Sequence, residues 1–296
     1  MEKYMPRRRA RFGDRKDGTW LRDLDSMHCM GPYILRKRAD REAFIQEDVD
    51  LTAANAYLDA KNAANPQFKY TLFQLICAAI VKTVVLRPHL NRFIAGRRYY
   101  QRNYLSVAFV AKKAFTDEAH ESMMMIYLDG DTTIDTVNSA MEEKINGIRK
   151  EGKSDNSTDV MNILTRIPRP LLAVVAWILY ALDYFGRVPW DIIREEPNYS
   201  SIFLTNLGSI KLNAGYHHLN NWGTNSIFLV VGEKSQRTAM NSQGEPETRE
   251  CLNIGITLDE LIADGYYYAQ SVKLFRHLLQ HPSLLERPAR EEVDYA

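Results

Sequence analysis

Cysteine is scarce in this sequence: Cys29, Cys77 and Cys251 are the only three in 296 residues. They are far apart and odd in number, which excludes a disulfide framework and a paired-cysteine zinc site. A protein of the reducing cytoplasm, without a metal, is expected. An excess of one charge is also lacking, with 38 lysines and arginines against 37 aspartates and glutamates. The net charge of +1 gives no electrostatic reason for a nucleic-acid partner. Gly-x-x-x-x-Gly-Lys, Gly-x-Gly-x-x-Gly, His-Glu-x-x-His and Gly-x-Ser-x-Gly are all absent. Their absence speaks against a phosphate-loop ATPase, a dinucleotide-binding dehydrogenase, a zinc protease and an α/β hydrolase. Long apolar runs are missing too. Leu171 to Leu182, closed by Asp183, falls short of the roughly 20 residues a spanning helix needs. Pro168, Pro170 and Pro189 bracket it as a helix. Burial in the core is expected for it, with a helix lying on a membrane surface as the alternative. The basic start (Arg7, Arg8, Arg9, Arg11, Arg15, Lys16) has no apolar stretch behind it and is no secretory signal. It reads as a solvated arm over residues 1–29, or as contact to an anionic partner or a neighbouring subunit.

What is present is ordinary for a globular chain, 45% hydrophobic and 25% charged. Pro32 to Asp50 reads as two strands, on Tyr33 and Leu35 and then on Phe44 and Val49. Thr52 opens a helix that fades at Lys61–Pro66, and Tyr70 to Leu86 reads as a buried helix stopped by Pro88. Leu105–Lys112 and Ser122–Leu128 read as strands joined by a polar loop, the methionines of the second serving as core filler. Asp135–Ile148 is helical, and a polar loop follows at Glu151–Asp159. Ser201–Leu204, Ser226–Val231 and Cys251–Leu258 read as strands, with Lys234–Glu250 as an exposed hairpin loop. Ala269, Val272, Phe275, Leu278 and Leu279 form the stripe of a last helix starting at Asp264, and the end from Pro288 reads as loose. Helices mixed with two groups of strands predict one α+β domain with a mixed sheet.

Three stretches carry chemistry by their order. Pro88-His89-Leu90-Asn91 closes a buried helix. Phe203-Leu204-Thr205-Asn206-Leu207-Gly208 ends a strand. Leu258-Asp259-Glu260-Leu261-Ile262-Ala263-Asp264-Gly265 runs from a strand straight into a helix. The set resembles the catalytic domain of the 2-oxo acid dehydrogenase dihydrolipoamide acyltransferases, which share the chloramphenicol acetyltransferase fold. The resemblance covers roughly residues 30–286 and leaves a charged tail at 287–296. It implies a homotrimer with active sites between subunits, coenzyme A as co-substrate, and a small-molecule acyl acceptor. No lipoyl domain fits in the chain, so a stand-alone protein is expected.

In that family the site reads His-x-x-x-Asp-Gly, and the histidine is the general base that frees a thiol or hydroxyl to attack an acyl thioester. Carried over, Asp264 and Gly265 match, with the aspartate expected in an ion pair that holds the loop. Thr205 takes the position of the hydroxyl that donates to the oxyanion, supported by Asn206 and Gly208. The base position holds Glu260, and Leu261 stands where an arginine is common. A free glutamate, with a pKa of about 4.3, is a weak base at neutral pH, and burial raises it. Two readings follow: acyl transfer from acyl-CoA to a thiol, hydroxyl or amine with Glu260 as base, or an inactive trimeric binding or scaffold protein. Taken singly, Asp264 fits a helix N-cap, Gly265 a turn and Thr205 a strand end. His217 and His218 read as loop or sheet-edge residues. Tyr266, Tyr267 and Tyr268 read as helix packing and interface.

Overall fold

The computed structural model describes residues 11–112, 121–151, 166–240 and 243–295. The polar loop between the Leu105 and Ser122 strands, most of the Glu151–Asp159 loop and the arginines at 7–9 lie outside the described residues. In chain order the elements are β1 (Gly18–Trp20), α1 (Ser26–Ile34), β2 (Glu42–Asp50), α2 (Thr52–Asn62), α3 (Leu72–Leu86), β3 (Arg92–Ala95), β4 (Arg98–Arg102), β5 (Leu105–Lys112) and β6 (Glu121–Leu128). There follow α4 (Ile134–Glu151), α5 (Arg169–Tyr184), the single turn α6 (Trp190–Ile193), β7 (Ile202–Asn206), β8 (Ile227–Met240), β9 (Pro246–Asp259) and α7 (Gly265–Gln280).

The six-stranded sheet runs β2-β9-β8-β7-β5-β6. β7 is parallel to both β5 and β8, and the remaining pairs are antiparallel. One face carries Val107, Leu204, Leu229, Ile254 and Ile256 into the main core, under α2, α3, α4 and α7. The other face carries Ala108, Phe203, Phe228 and Val230 into a smaller cluster covered by the loop after β7. A second sheet, β1-β4-β3, stands apart.

α3 is the central helix. Thr71 and Gln74 form a reciprocal capping box, and every residue from Gln74 to Val84 is buried. Its run of apolar residues is the signature of an element surrounded on all sides, each large side chain contributing about 1.5–3 kcal/mol on burial. Lys82 is buried among them, and its Nζ donates to the carbonyls of Leu284 and Pro288. The C-terminal segment is thereby tied down, with Ala289 buried and its N–H on the carbonyl of Thr132. It is not loose as its charge suggests.

Three further expectations are corrected. Tyr33 lies in helix α1, not in a strand, because Asp25 caps that helix by accepting from the N–H groups of Met27 and His28. Lys234–Glu250 is no loop: β8 and β9 stay paired out to Met240 and Pro246, braced by Arg237–Asp48 and by Arg249–Asp50 at 3.0 Å. Most consequentially, α5 is not buried. Its one buried residue is Asp183, while Trp177 is 70% exposed. Nor is all of the basic start solvated. Arg15 is buried, its Nε on Asp17 at 2.8 Å and its Nη2 on Asp183 at 2.7 Å.

Candidate active site

β9 ends at Asp259, whose carboxylate is fully buried and lies 3.1 Å from Nε of Arg41. The guanidinium N–H is not aimed at that oxygen, so this is a charge contact rather than an aligned hydrogen bond. Around Asp259 the chain turns sharply. Its N–H donates to the carbonyl of Ser226, and its carbonyl receives the N–H of Ile262 and, at 2.6 Å, the hydroxyl of Tyr268. The N–H of Leu261 donates to its carboxylate at 3.3 Å. Glu260, next in the chain, donates its N–H to the carbonyl of Arg41 and holds its side chain out in solvent. An exposed carboxylate thus rides on a turn fastened from inside.

Asp264 is the N-cap of α7, accepting the N–H of Tyr267 at 2.7 Å, and Gly265 is the first residue of that helix. The structural ion pair expected of Asp264 is made instead by Asp259 with Arg41. That role follows from position, since Asp259 ends a buried strand and Asp264 stands exposed before a helix.

Thr205 is half-buried near the end of β7, on the face opposite the main helices. Asn206 accepts the N–H of Ser209 at 3.2 Å and shapes the turn that follows. Gly208 is needed there because a Cβ would lie 2.2 Å from the carbonyl oxygen of Gly232, so the loop presses on the sheet backbone. Thr205 pairs with Val230, and Val230 with Gly255. Glu260 lies five residues beyond Gly255, about 17 Å along the strand and two strand spacings, about 10 Å, across. Within one chain, then, hydroxyl and carboxylate are far apart.

The surroundings of the Glu260 turn hold groups that sequence reasoning passes over. Gly31 of α1 faces Leu261 and the hydroxyl of Tyr99: a Cβ there would be 3.1 Å from each. One helical turn earlier, His28 packs edge-on to Tyr99 and its Nδ1 lies 2.5 Å from a carboxylate oxygen of Asp25. The hydrogen bonds from His28, backbone and side chain, hold the Asp25 carboxyl below its usual range. His89 stacks on Tyr267 with centroids 4.5 Å apart, and its backbone N–H donates to the Tyr267 hydroxyl oxygen at 3.1 Å. Arg87 lies over the same ring at 3.9 Å. The Tyr99 hydroxyl and Arg92 Nε are buried without a hydrogen-bond partner among the described residues. Asp25-x-x-His28 was visible as a helical spacing, but nothing in the sequence places it beside residue 261. His217 and His218 lie in the exposed loop after β7, His217 stacked on Phe228 and His218 bonded to Glu42.

Burial first, then Arg92 and Arg87, lower the pKa of His89, with Asp264 opposing; burial and His281 lower that of His277. A histidine whose folded value lies below its unfolded one of about 6.5 adds stability above that pH and loses it as pH falls through the lowered value. The melting temperature is therefore expected to fall between pH 7.5 and 5.5, a window above the carboxylates. His89→Gln should flatten that slope in a thermal melt series; an unchanged slope would remove His89 from the account.

No protein-family model matches the chain, and no curated protein matches it. Solved structures do. A probable dihydrolipoamide acetyltransferase from Listeria monocytogenes superposes with a TM-score of 0.55 at 12% identity, over 94% of this chain and 99% of that one. The dihydrolipoamide acetyltransferase of Azotobacter vinelandii gives 0.53 at 16% identity, over 82% and 83%. Chloramphenicol acetyltransferase gives 0.55 at 13% identity, over 89% and 98%. The fold is thus the chloramphenicol acetyltransferase-like one, an α+β architecture with a mixed sheet.

Proposed function

We propose that the protein is a coenzyme A-dependent acyltransferase that works as a homotrimer, moving an acyl group from an acyl-CoA thioester to a small thiol, hydroxyl or amine. The observation that carries this reading is the separation of Glu260 from Thr205, about 17 Å along the strand direction and about 10 Å across two strand spacings. Two halves of a site at opposite ends of a sheet become one when a neighbouring subunit brings its Thr205 to this subunit's Glu260. Met27, Met30 and Ile34 of α1 support it, since they lie exposed beside the Glu260 turn with charges of both signs around them, as a protein contact requires.

Glu260 takes the proton of the acceptor. A neighbouring subunit closing over the turn would take this carboxylate out of water, the condition under which a carboxylate becomes a useful base. Thr205 donates to the oxyanion formed when the acceptor attacks the thioester carbon. Collapse of that intermediate expels the thiolate of coenzyme A, which leaves with the proton. Arg87 and Arg92 supply positive charge beside His89, and Tyr99 a hydroxyl facing Gly31 of α1, groups suited to the phosphates and amides of the co-substrate.

The test joins two measurements on the purified chain: calorimetric titration with coenzyme A, and thiol release from acetyl-CoA over a panel of amines, alcohols and thiols. Binding with acceptor-dependent thiol release is expected. No binding and no release across the panel would leave the inactive trimeric scaffold as the function.

A further inference from the structure

α5 is built inside out. Its sixteen residues carry one acid, Asp183, and that acid is the only one of them buried, held by Arg15 at 2.7 Å and by the hydroxyl of Tyr199 at 2.8 Å. Trp177 and Phe185, the residue just past the helix, are 70% and 72% exposed, and Leu171, Val174, Ile178 and Tyr184 are exposed as well. An ion pair roots the helix at its C-terminal end, and an apolar face is turned to solvent. Exposed apolar residues on this scale mark a surface that something covers.

The charge around the face says what. Arg166 and Arg169 stand at one end and Arg187 at the other, all exposed. Beside Phe185 lies a depression of about 870 Å³ whose charged lining is Arg11, Arg15, Lys16, Arg98 and Arg187 against one acid, Asp14, which is itself paired with Arg22. The β3–β4 hairpin packs its Gly96 against the backbone carbonyl of Tyr184 and so brings the exposed Arg97 to the same end. From 166 to 190 the only acid is the buried Asp183. A second copy of this chain seated on the face would press arginines against arginines, a like-charge contact that costs affinity. An anionic lipid surface meets every one of these features. Trp177, Tyr180, Tyr184 and Phe185 are the residue types that settle at the level of the headgroups, and the arginines meet lipid phosphates. The helix is about 24 Å long, shorter than the roughly 30 Å hydrocarbon core, and no helix among the described residues is long and apolar enough to cross a membrane.

We infer that α5 and its arginine rim form a membrane-binding face, on which the protein lies against anionic phospholipid with the helix parallel to the surface. Neither the acyl-transfer site nor trimer formation enters this inference. The test is co-sedimentation with vesicles of mixed phosphatidylglycerol and phosphatidylcholine at low ionic strength, beside pure phosphatidylcholine, with sedimentation mass measured in parallel. Pelleting with the anionic vesicles only, and its decline with added salt, are expected. Trp177→Asp should abolish it while the circular dichroism spectrum stays unchanged. The double variant Arg97→Ala, Arg187→Ala should weaken partition by about 25-fold, at about a factor of five for each cation lost. Wild-type protein left in the supernatant with anionic vesicles would overturn the inference. So would a Trp177→Asp variant that pellets normally, or one that loses oligomer mass, which would make the face a subunit contact.

Discussion

Glu260→Gln is expected to lower kcat/KM for acyl transfer by at least about 100-fold while leaving the affinity for acetyl-CoA within a factor of about two, the pattern for loss of a general base that makes no binding contact. Glutamine has nearly the same shape and keeps the turn, whose fixed points are the backbone N–H of residue 260 on Arg41 and the buried Asp259 beneath it. Loss of rate therefore reports on the proton alone. Glu260→His places an imidazole at the same point, and transfer is expected to persist with a pH profile that breaks near the imidazole range of about 6.5. Wild-type turnover in Glu260→Gln would take the base role away from this residue. Another candidate base is then His28, oriented by Asp25 on α1, and His28→Gln would carry the loss.

Asp259→Ala is expected to be the most damaging single change to stability. The side chain is fully buried against Arg41, itself almost completely buried. Removing one member leaves a guanidinium in the interior with no counter-charge, which costs about 3–5 kcal/mol. Arg38 sits close by, and burial, reinforced by Arg41 and Arg102 and opposed by Asp259, lowers its pKa to about 10. Deleting the aspartate thus removes a compensating charge from more than one arginine. At about 2–4 °C per kcal/mol for a domain of this class, the melting temperature should drop by on the order of 10 °C. Should the alanine variant fail to fold, Asp259→Asn keeps the shape and the acceptor for the Leu261 N–H, and chemical denaturation reads the charge alone. Asp259→Leu combined with Arg41→Leu should recover much of the loss, because an apolar pair replaces the ion pair without an orphan. A shift under about 2 °C in both single variants would show the pair to be energetically idle.

Much of the fold was legible along the chain. Apolar runs gave α3, β5 and β6, and the order of Asn206-Leu207-Gly208 and Asp264-Gly265 pointed to the architecture. Errors fell where local signals conflict. Tyr33 and Leu35 alternate like a strand, but a cap at Asp25 starts a helix whose apolar side chains are left outside. The segment from Lys234 looks polar enough for a loop, yet charges on paired strands neutralise one another across the ladder, as between Arg249 and Asp50. The site was half legible. Glu260 and Thr205 could be named, but not the partners that fix or surround them, since Arg41 and His28 reach the turn only through folding.

By itself the sequence named the candidates: one carboxylate in the place of an expected histidine, a threonine at a strand end, and a short apolar helix closed by an acid. The tertiary structure decided what each one faces. It gave the structural ion pair to Asp259 and left Asp264 as a cap, and it turned α5 outward by burying Asp183 with Arg15. The physical reason is that hydrophobicity is a property of a residue, whereas burial belongs to a neighbourhood. The segment from 171 to 182 is apolar in any context, but the positions of Arg15, more than 150 residues away, and of Tyr199 decide which side of the helix is rooted in the protein.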